Sequence, residues 1–197
     1  MTLRKNPFDF EKNVYASRAA LKLDSVAQKL DLHFKGKIVL DVGSSSGGFS
    51  DYALKKGAAK VIAVDKGTGQ MNPKVRFDSR LELHEKTDIR EFKPLVRLDI
   101  LLIDVSFVSL RDILPSLLRN AITKNTQVIA MAKPQFETKD DKLKNHGVIK
   151  NEHVRRELLS GLEVWLKQYF VIIDKADSKV SGTKGNRERF YKLKLIA

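Results

Sequence analysis

The chain has 197 residues, enough for one domain, with 37 Lys and Arg against 24 Asp and Glu and so a formal charge of +13. It has no Cys, which excludes disulfides, thiolate nucleophiles and Cys-based metal sites and favours a reducing cytoplasm. Its apolar runs are far shorter than a bilayer span, and the first residues lack the apolar core of a signal peptide, so we expect no membrane partner.

The first predicted element is a helix over residues 17–30, with Ser17 as N-cap and apolar residues at helical spacing behind it. Further helices are predicted after Gly47, Ser109 and Asn151. Between them lie apolar, β-branched strands at 37–43, 60–65, 98–105, 126–132, 169–176 and 189–196. This alternation predicts an α/β, Rossmann-like, doubly wound sheet that is mostly parallel, with an antiparallel edge strand in the last pair.

Domain organisation follows from the same elements. We expect a basic N-terminal arm and helix over residues 1–36 and one catalytic domain over residues 37–197. The charged segment 137–146, closed by Gly147, predicts a mobile surface loop.

The loop from Asp41 to Phe49, DVGSSSGGF, directly follows the first strand and opens a helix. Its glycines let the backbone approach a ligand, and the helix N-terminus offers free N–H groups. Because Asp41 would repel a pyrophosphate but suits a sulfonium and an ammonium, the loop favours S-adenosylmethionine over a dinucleotide. Asp65 ends the second strand, where it can accept from ribose hydroxyls, and Asp88 follows the third strand, placed to meet an adenine edge. Each of these residues alone also fits a tight turn or a cap.

Four charged residues, distant in sequence, form a second group: Lys22, Asp104, Lys133 and Glu188. Parallel strands of a doubly wound sheet end at one crevice, so we expect Asp104 and Lys133 to face the same site as Asp41. A lysine beside a second cation in a partly desolvated cleft loses its proton more easily and can act as a general base. Singly, each of the four residues also fits a solvated charge or a strand-end cap.

Six motifs span residues 15–195: SRAALKL, DVGSSSGGFSD, AVDKGTGQ, LLIDVSFVSL, KPQFE and GNRERF. Together they resemble the TlyA-type, or hemolysin A-like, branch of the FtsJ-like ribosomal RNA 2′-O-methyltransferases. The resemblance implies S-adenosyl-L-methionine as methyl donor and ribose 2′-O-methylation of ribosomal RNA, with cytidine as target. It also implies a Lys-Asp-Lys-Glu tetrad on Lys22, Asp104, Lys133 and Glu188, with Lys133 as base.

By the same resemblance, ten residues would form the cofactor site: Asp41, Gly43, Ser44, Ser45, Gly47, Gly48, Phe49, Asp65, Asp88 and Asp104. The family usually carries a small RNA-binding domain before this point. The few residues before the first helix are too short to form one, so we expect it to be absent.

The charge excess favours a polyanion, here ribosomal RNA or ribosomal subunits. We expect a basic rim of Lys175, Lys179, Lys184, Arg187, Arg189, Lys192 and Lys194, with a basic arm of Arg4, Lys5, Lys12 and Arg18. The four His have no paired ligand spacing, so no metal is predicted.

Two alternatives to a methyltransferase remain open. One is a non-catalytic RNA-binding or ribosome-assembly factor with the same fold. The other, less favoured, is a membrane-acting hemolysin, for which no amphipathic or spanning segment is visible. A merely basic soluble protein would show the same charge.

Overall fold

The fold is described by a computed structural model, which covers residues 15–144, 146–182 and 184–196. Arg4, Lys5 and Lys12 of the predicted basic arm lie outside the described residues. The strands are β1 (Ile38–Val42), β2 (Lys60–Val64), β3 (Leu81–His84), β4 (Ile100–Ile103), β5 (Gln127–Ala132), β6 (Phe170–Asp177) and β7 (Arg189–Leu195). The helices are α1 (Arg18–Ala27), α2 (Gly48–Lys55), α3 (Pro73–Arg76), α4 (Leu110–Asn120) and α5 (Glu152–Leu166).

The seven strands form one sheet in the order β3-β2-β1-β4-β5-β7-β6. Strands β1 to β5 pair in parallel, whereas β7 runs antiparallel to both β5 and β6. The predicted doubly wound, mostly parallel sheet with an antiparallel edge is therefore confirmed. The strand order reverses at β1 and β4, which opens a crevice at their carboxyl ends, where ligands bind in folds of this type.

Helices cover both faces of the sheet, as expected for strands that are apolar on both sides. On one face α4 and α5 bury Leu114 and Leu159 against the sheet. On the other face α1 and α2 bury Leu23 and Phe49. Because α1 shares a core with the sheet, it is positioned rigidly enough to present a side chain to the crevice.

The first helix begins where the sequence predicts, because the Ser17 Oγ accepts a hydrogen bond from the Ala19 N–H at 3.3 Å. It ends at Ala27, three residues earlier than expected, and the chain turns. Leu30 is nevertheless buried in the same core.

The prediction of a mobile surface loop over residues 137–146 is wrong at its first residue. Glu137 is buried, and its carboxylate accepts hydrogen bonds from the Ser109 Oγ at 2.6 Å and from the Leu110 N–H at 3.0 Å. It thereby binds the N-terminus of α4, where negative charge is favoured. Burial raises the pKa of Glu137, and the Ser109 hydrogen bond opposes that shift.

Candidate active site

The strand register brings the predicted residues to one edge of the sheet. Val42 of β1 pairs with Ile103 of β4, so the residues that follow them, Gly43 and Asp104, are neighbours. The antiparallel β7 starts where β5 ends, since Arg189 pairs with Ala132. Glu188, just before β7, therefore lies at the same edge as Lys133, just after β5.

The glycine loop after β1 needs glycine for two reasons. Gly43 has φ +80°, and a Cβ there would lie 2.6 Å from the backbone oxygen of Asp104. Gly47 has φ +83° and caps α2, and a Cβ there would lie 2.2 Å from the Met71 Sδ. Both positions combine a left-handed backbone with close packing, which side-chain-bearing residues cannot adopt without strain.

Two other predicted loop residues have structural roles. A Cβ on Gly48 would lie 2.2 Å from the Ser17 Oγ, so this glycine lets α2 approach α1. The Phe49 ring is buried in the core, with its centroid 6.0 Å from that of Phe190. Neither role was visible in the loop motif, because both depend on elements that are distant in sequence.

Beneath this loop is a small cavity of about 130 Å³, called the cofactor cavity below. Its lining includes most of the predicted cofactor residues, together with Lys133 from the tetrad: Ser17, Ala19, Asp41, Gly43, Ser44, Ser45, Ser46, Gly48, Phe49, Asp104, Ser106 and Lys133. Gly47, Asp65 and Asp88 are outside this lining. The cavity is smaller than the ~300–1,000 Å³ typical of ligand pockets, so it has room for only part of a nucleoside-sized ligand.

Asp41 is a buried carboxylate at the floor of the cofactor cavity. It is 0% exposed, and its Oδ2 accepts a hydrogen bond from the Ser50 Oγ at 2.7 Å. Its Oδ1 and the Ser44 Oγ have no hydrogen-bond partner among the described residues. Burial raises the pKa of Asp41 to about 7, and the negative charges of Asp104 and Asp65 add to the shift.

Asp65 and Asp88 lie beyond the cofactor cavity, on more open surface. Asp65 accepts from the Ser45 N–H at 2.8 Å and the Gly67 N–H at 2.7 Å. Asp88 pairs with Lys66 at 2.9 Å and with Arg90. The Arg90 guanidinium holds the pKa of Asp88 well below its usual range. Asp65 thus holds the glycine loop through the Ser45 N–H, whereas the carboxylate of Asp88 forms ion pairs with two cations.

The four tetrad residues form two ion pairs. The Lys133 Nζ lies 2.5 Å from the Asp104 Oδ1 and donates to the Ser106 Oγ at 2.7 Å. The Lys22 Nζ, from α1, donates to the Glu188 Oε1 at 2.8 Å. Asp104 thus forms an ion pair with Lys133, whereas Glu188 forms one with Lys22 and not with Lys133. The Glu188 Oε2 is buried without a hydrogen-bond partner among the described residues.

A second cavity, of about 470 Å³ and called the substrate cavity below, brings both pairs together. It is lined by Lys22, Ser106, Phe107, Lys133, Gln135, Phe136, Asp141, Lys144, Gly147, Gly182, Lys184, Asn186 and Glu188. Lys133 and Ser106 line both cavities. The Lys133 amine is therefore at the junction between the small cofactor cavity and the larger substrate cavity.

Sequence reasoning missed the aromatic wall of the substrate cavity. Phe107 is 91% exposed and has φ +67°, and its ring centroid lies 5.3 Å from that of Phe136. A left-handed backbone at a bulky residue is rare, and such strain is found mainly at functional sites. Phe107 stands in DVSF and Phe136 in KPQFE, so an aromatic residue three positions after a tetrad residue was the available signal.

The predicted basic rim is distributed over three surfaces. Lys184 lines the substrate cavity, where Lys144 joins it. Lys192 and Lys194 line a separate cavity beside Lys124. Lys175, Lys179 and Arg189 line a third, beside α1, that also contains Asp177. Arg187 pairs with Glu152 at 3.1 Å, and Arg18 donates to the Ser181 carbonyl oxygen at 2.7 Å.

Several known proteins resemble this chain in sequence and in fold. The FtsJ-like methyltransferase family profile matches residues 15–195. The chain is 34% identical over 185 residues to the 23S rRNA (cytidine-2′-O)-methyltransferase TlyA of Campylobacter jejuni, covering 93% of this chain and 72% of that protein. It is 31% identical over 187 residues to the 16S/23S rRNA (cytidine-2′-O)-methyltransferase TlyA of Mycobacterium tuberculosis, covering 93% and 69%. A solved structure from Lactococcus lactis, named as a hemolysin, has 35% identity and a TM-score of 0.85 over 93% of this chain and 89% of that one.

No helix among the described residues is long and apolar enough to cross a bilayer. Nor do three or more His, Asp or Glu side chains in that part of the chain come together as a metal site would require.

Proposed function

Because the chain belongs to the FtsJ-like methyltransferase family, we propose that it methylates the 2′-oxygen of a ribose in ribosomal RNA, with S-adenosyl-L-methionine as donor and cytidine as target nucleotide. The observation that carries the proposal is the position of Lys133, which lines both the cofactor cavity and the substrate cavity. A base at that junction can act on a hydroxyl in one cavity while a methyl group is presented from the other. The activities named for the Campylobacter jejuni and Mycobacterium tuberculosis relatives support the choice of ribosomal RNA and cytidine.

The cofactor cavity suits a cationic nucleoside cofactor. Its floor carries the unpartnered Asp41 Oδ1, with Asp104 in its wall and Asp65 beyond it. Positive charge on a ligand would offset this concentration of carboxylates. The bare glycine backbone at Gly43 leaves room for close approach. We assign Asp41, Gly43, Ser44 and Asp104 to the enclosed end of the cofactor, and Asp65 to its ribose.

When bound, the cofactor supplies an electrophilic methyl group. The chain's own residues supply position and proton transfer. In its neutral form, the Lys133 amine accepts the proton of the ribose 2′-hydroxyl. Asp104, 2.5 Å away, then stabilises the resulting ammonium, while Ser106 keeps the Nζ in place.

The Lys22–Glu188 pair lines the substrate cavity together with Lys133. Both side chains are largely buried, at 13% and 3% exposure, and Glu188 is anchored at the start of β7. A buried pair of this kind holds its partners in one geometry. We assign it to the sugar and phosphate of the target nucleotide, with Lys144 and Lys184 at the rim for neighbouring phosphates.

Methyl transfer to isolated ribosomal subunits that lack the modification tests the proposal. With tritiated S-adenosylmethionine, label should enter RNA and stay in alkali-resistant dinucleotides, because a methylated 2′-oxygen cannot attack the adjacent phosphate. Nucleoside analysis should then identify 2′-O-methylcytidine, and primer extension its position. Label on a base, or no label on either subunit while the cofactor still binds, would contradict the proposed reaction.

Cofactor affinity is expected to fall about tenfold when the pH is lowered from 8 to 6. The pKa of Asp41 is raised to about 7, so its carboxylate is mostly ionised at pH 8 and mostly protonated at pH 6. Only the ionised form attracts a cationic ligand. Calorimetric titration with S-adenosylmethionine at the two pH values measures the effect.

Asp41→Asn provides the control, since it keeps the shape and removes the charge. It should bind the cofactor weakly at both pH values, with little pH dependence. Because the pKa of Asp41 in the folded chain exceeds its ordinary value of 3.8, its ionisation destabilises the fold as the pH rises from about 4 to above 7. The variant should therefore melt above the wild type at pH 8 and level with it at pH 4. An unchanged wild-type affinity between pH 6 and pH 8 would contradict the assignment.

Phe107→Ala and Phe107→Gly are expected to lower methyl transfer at limiting RNA concentration by about tenfold each, as loss of base stacking does. The exposed ring contributes little to folding, but only glycine relieves the left-handed backbone. Phe107→Gly should therefore unfold at a higher denaturant concentration than Phe107→Ala. Wild-type transfer rates in both variants would rule out a role for this ring in substrate binding.

A further inference from the structure

Gln135 lines the substrate cavity. The oxygen of its side-chain amide is buried and accepts no hydrogen bond from the described residues. The other amide in the lining, Asn186, has a protein partner at both its oxygen and its nitrogen. Its Oδ1 accepts from the Ile149 N–H at 3.0 Å, and its Nδ2 donates to the Gly147 carbonyl oxygen at 3.0 Å. Because a buried acceptor without a donor is unfavourable, it is suited to a ligand that brings the donor. Gln135, unlike Asn186, is available to such a ligand.

The position of Gln135 limits which part of a nucleotide it can meet. It follows Lys133 by two residues, within the 3₁₀ turn Pro134–Phe136. The next residue, Phe136, contacts the exposed Phe107 ring. On a ribose, the carbon that carries the base adjoins the carbon that carries the 2′-hydroxyl. A ribose whose 2′-hydroxyl is at Lys133 therefore directs its base into the same cavity, between aromatic faces and an amide edge.

Flat aromatic side chains and a buried acceptor recognise different features of a base. The rings of Phe107 and Phe136 can stack on any base and so do not discriminate. Facing the exocyclic group of a base, the Gln135 oxygen can accept a hydrogen bond from an amino group but not from a carbonyl oxygen. Cytosine presents an amino group at position 4, where uracil presents a carbonyl oxygen. Two facing acceptors would both be left unpaired.

We propose that Gln135 selects the target base by accepting a hydrogen bond from the exocyclic amino group of that base. This inference rests on the proposed function. Gln135 is thus the specificity-determining residue that favours cytidine over uridine. Lys133 and Asp104 act on the ribose, which is common to both nucleotides, and cannot make this distinction.

The test compares two sets of ribosomal subunits, one with cytidine at the mapped target position and one with uridine there. The measured quantity is the ratio of kcat/KM for 2′-O-methylation of the two. We expect the wild type to favour cytidine by about 100-fold or more, as sites that hydrogen-bond a substrate group do. Gln135→Leu, which keeps the size and removes the acceptor, should reduce that ratio at least tenfold. Gln135→Glu, which keeps an acceptor oxygen, should preserve it.

Gln28→Leu is the matched control, because Gln28 is an exposed amide at the end of α1, outside both cavities. Its ratio should equal that of the wild type. Calorimetric binding of S-adenosylmethionine to Gln135→Leu checks that this variant folds. Should it fail to fold, Gln135→Glu decides the question, since loss of cytidine preference in that variant overturns the inference.

The outcomes separate this inference from the proposed function. An unchanged ratio in folded Gln135→Leu overturns the role of Gln135. So does a wild type that methylates the 2′-oxygen of uridine as well as that of cytidine, although the proposed reaction then stands. A wild type that forms no 2′-O-methylnucleoside overturns the proposed function, and this inference with it.

Discussion

Replacing Lys133 with alanine is expected to lower the single-turnover rate of methyl transfer by about 10²–10⁴-fold, the usual contribution of a general base. The Lys133 Nζ lies at the junction of the two cavities and is held there by Asp104 and Ser106. No other lysine among the described residues lines both cavities, so no neighbour can replace it. Rapid-quench measurement with saturating cofactor and RNA gives the rate.

Lys133→Arg separates a base from a simple cation. Arginine keeps the positive charge beside Asp104 but stays protonated under all assay conditions. If Lys133 removes the ribose proton, both variants should be similarly slow while still binding S-adenosylmethionine. If Lys133 only neutralises Asp104, the arginine variant should approach the wild-type rate, and the proposed role of Lys133 would be wrong.

Replacing Gly43 with alanine is expected to abolish cofactor binding and to lower the free energy of unfolding by about 2–4 kcal/mol. The added Cβ would lie 2.6 Å from the Asp104 carbonyl oxygen and 3.3 Å from the Val105 Cα. Both obstacles are backbone, so β1 and β4 must separate at their carboxyl ends. That movement would also displace Asp104 from Lys133. Chemical denaturation and calorimetric titration measure the two effects.

Gly36→Ala is the matched control for this substitution. Gly36 has a similar left-handed φ, +72°, but nothing lies within 4 Å of the position of its Cβ. It should therefore show only the backbone penalty, about 1–2 kcal/mol, with cofactor affinity unchanged. Equal losses of stability in the two variants would mean that the contact with β4 has no cost of its own.

Much of the sheet could be predicted from its strands, because a strand buried on both faces must be apolar throughout. The same reasoning placed Asp104 and Lys133 together, since both follow parallel strands in one sheet. The pairing of Lys22 with Glu188 could not be foreseen. It joins residues 166 positions apart, and it depends on β7 entering the sheet between β5 and β6.

The residues missed by sequence reasoning share a different cause. Phe107 and Gln135 belong to types that are usually structural or solvated. The spacing of Phe107 after Asp104 was a weak signal on its own, and nothing in the spacing distinguishes Gln135. Phe107 stands out because its ring is 91% exposed, and Gln135 stands out because its buried oxygen has no hydrogen-bond donor among the described residues. Both properties are set by tertiary packing. Conversely, the burial of Glu137 depends on a contact with α4, which is 27 residues earlier in the chain.

The inserted position of β7 has a consequence for biosynthesis. Although β7 follows every other strand in the chain, it lies inside the sheet, with β5 on one side and β6 on the other. A nascent chain can fold its earlier, parallel half while it is being translated. The pair between Lys22 and Glu188, however, cannot form until the last strand has left the ribosome. The Lys22–Glu188 pair is therefore among the later contacts of the site to form, whereas the glycine loop and the Asp104–Lys133 pair belong to the part of the sheet that can fold earlier.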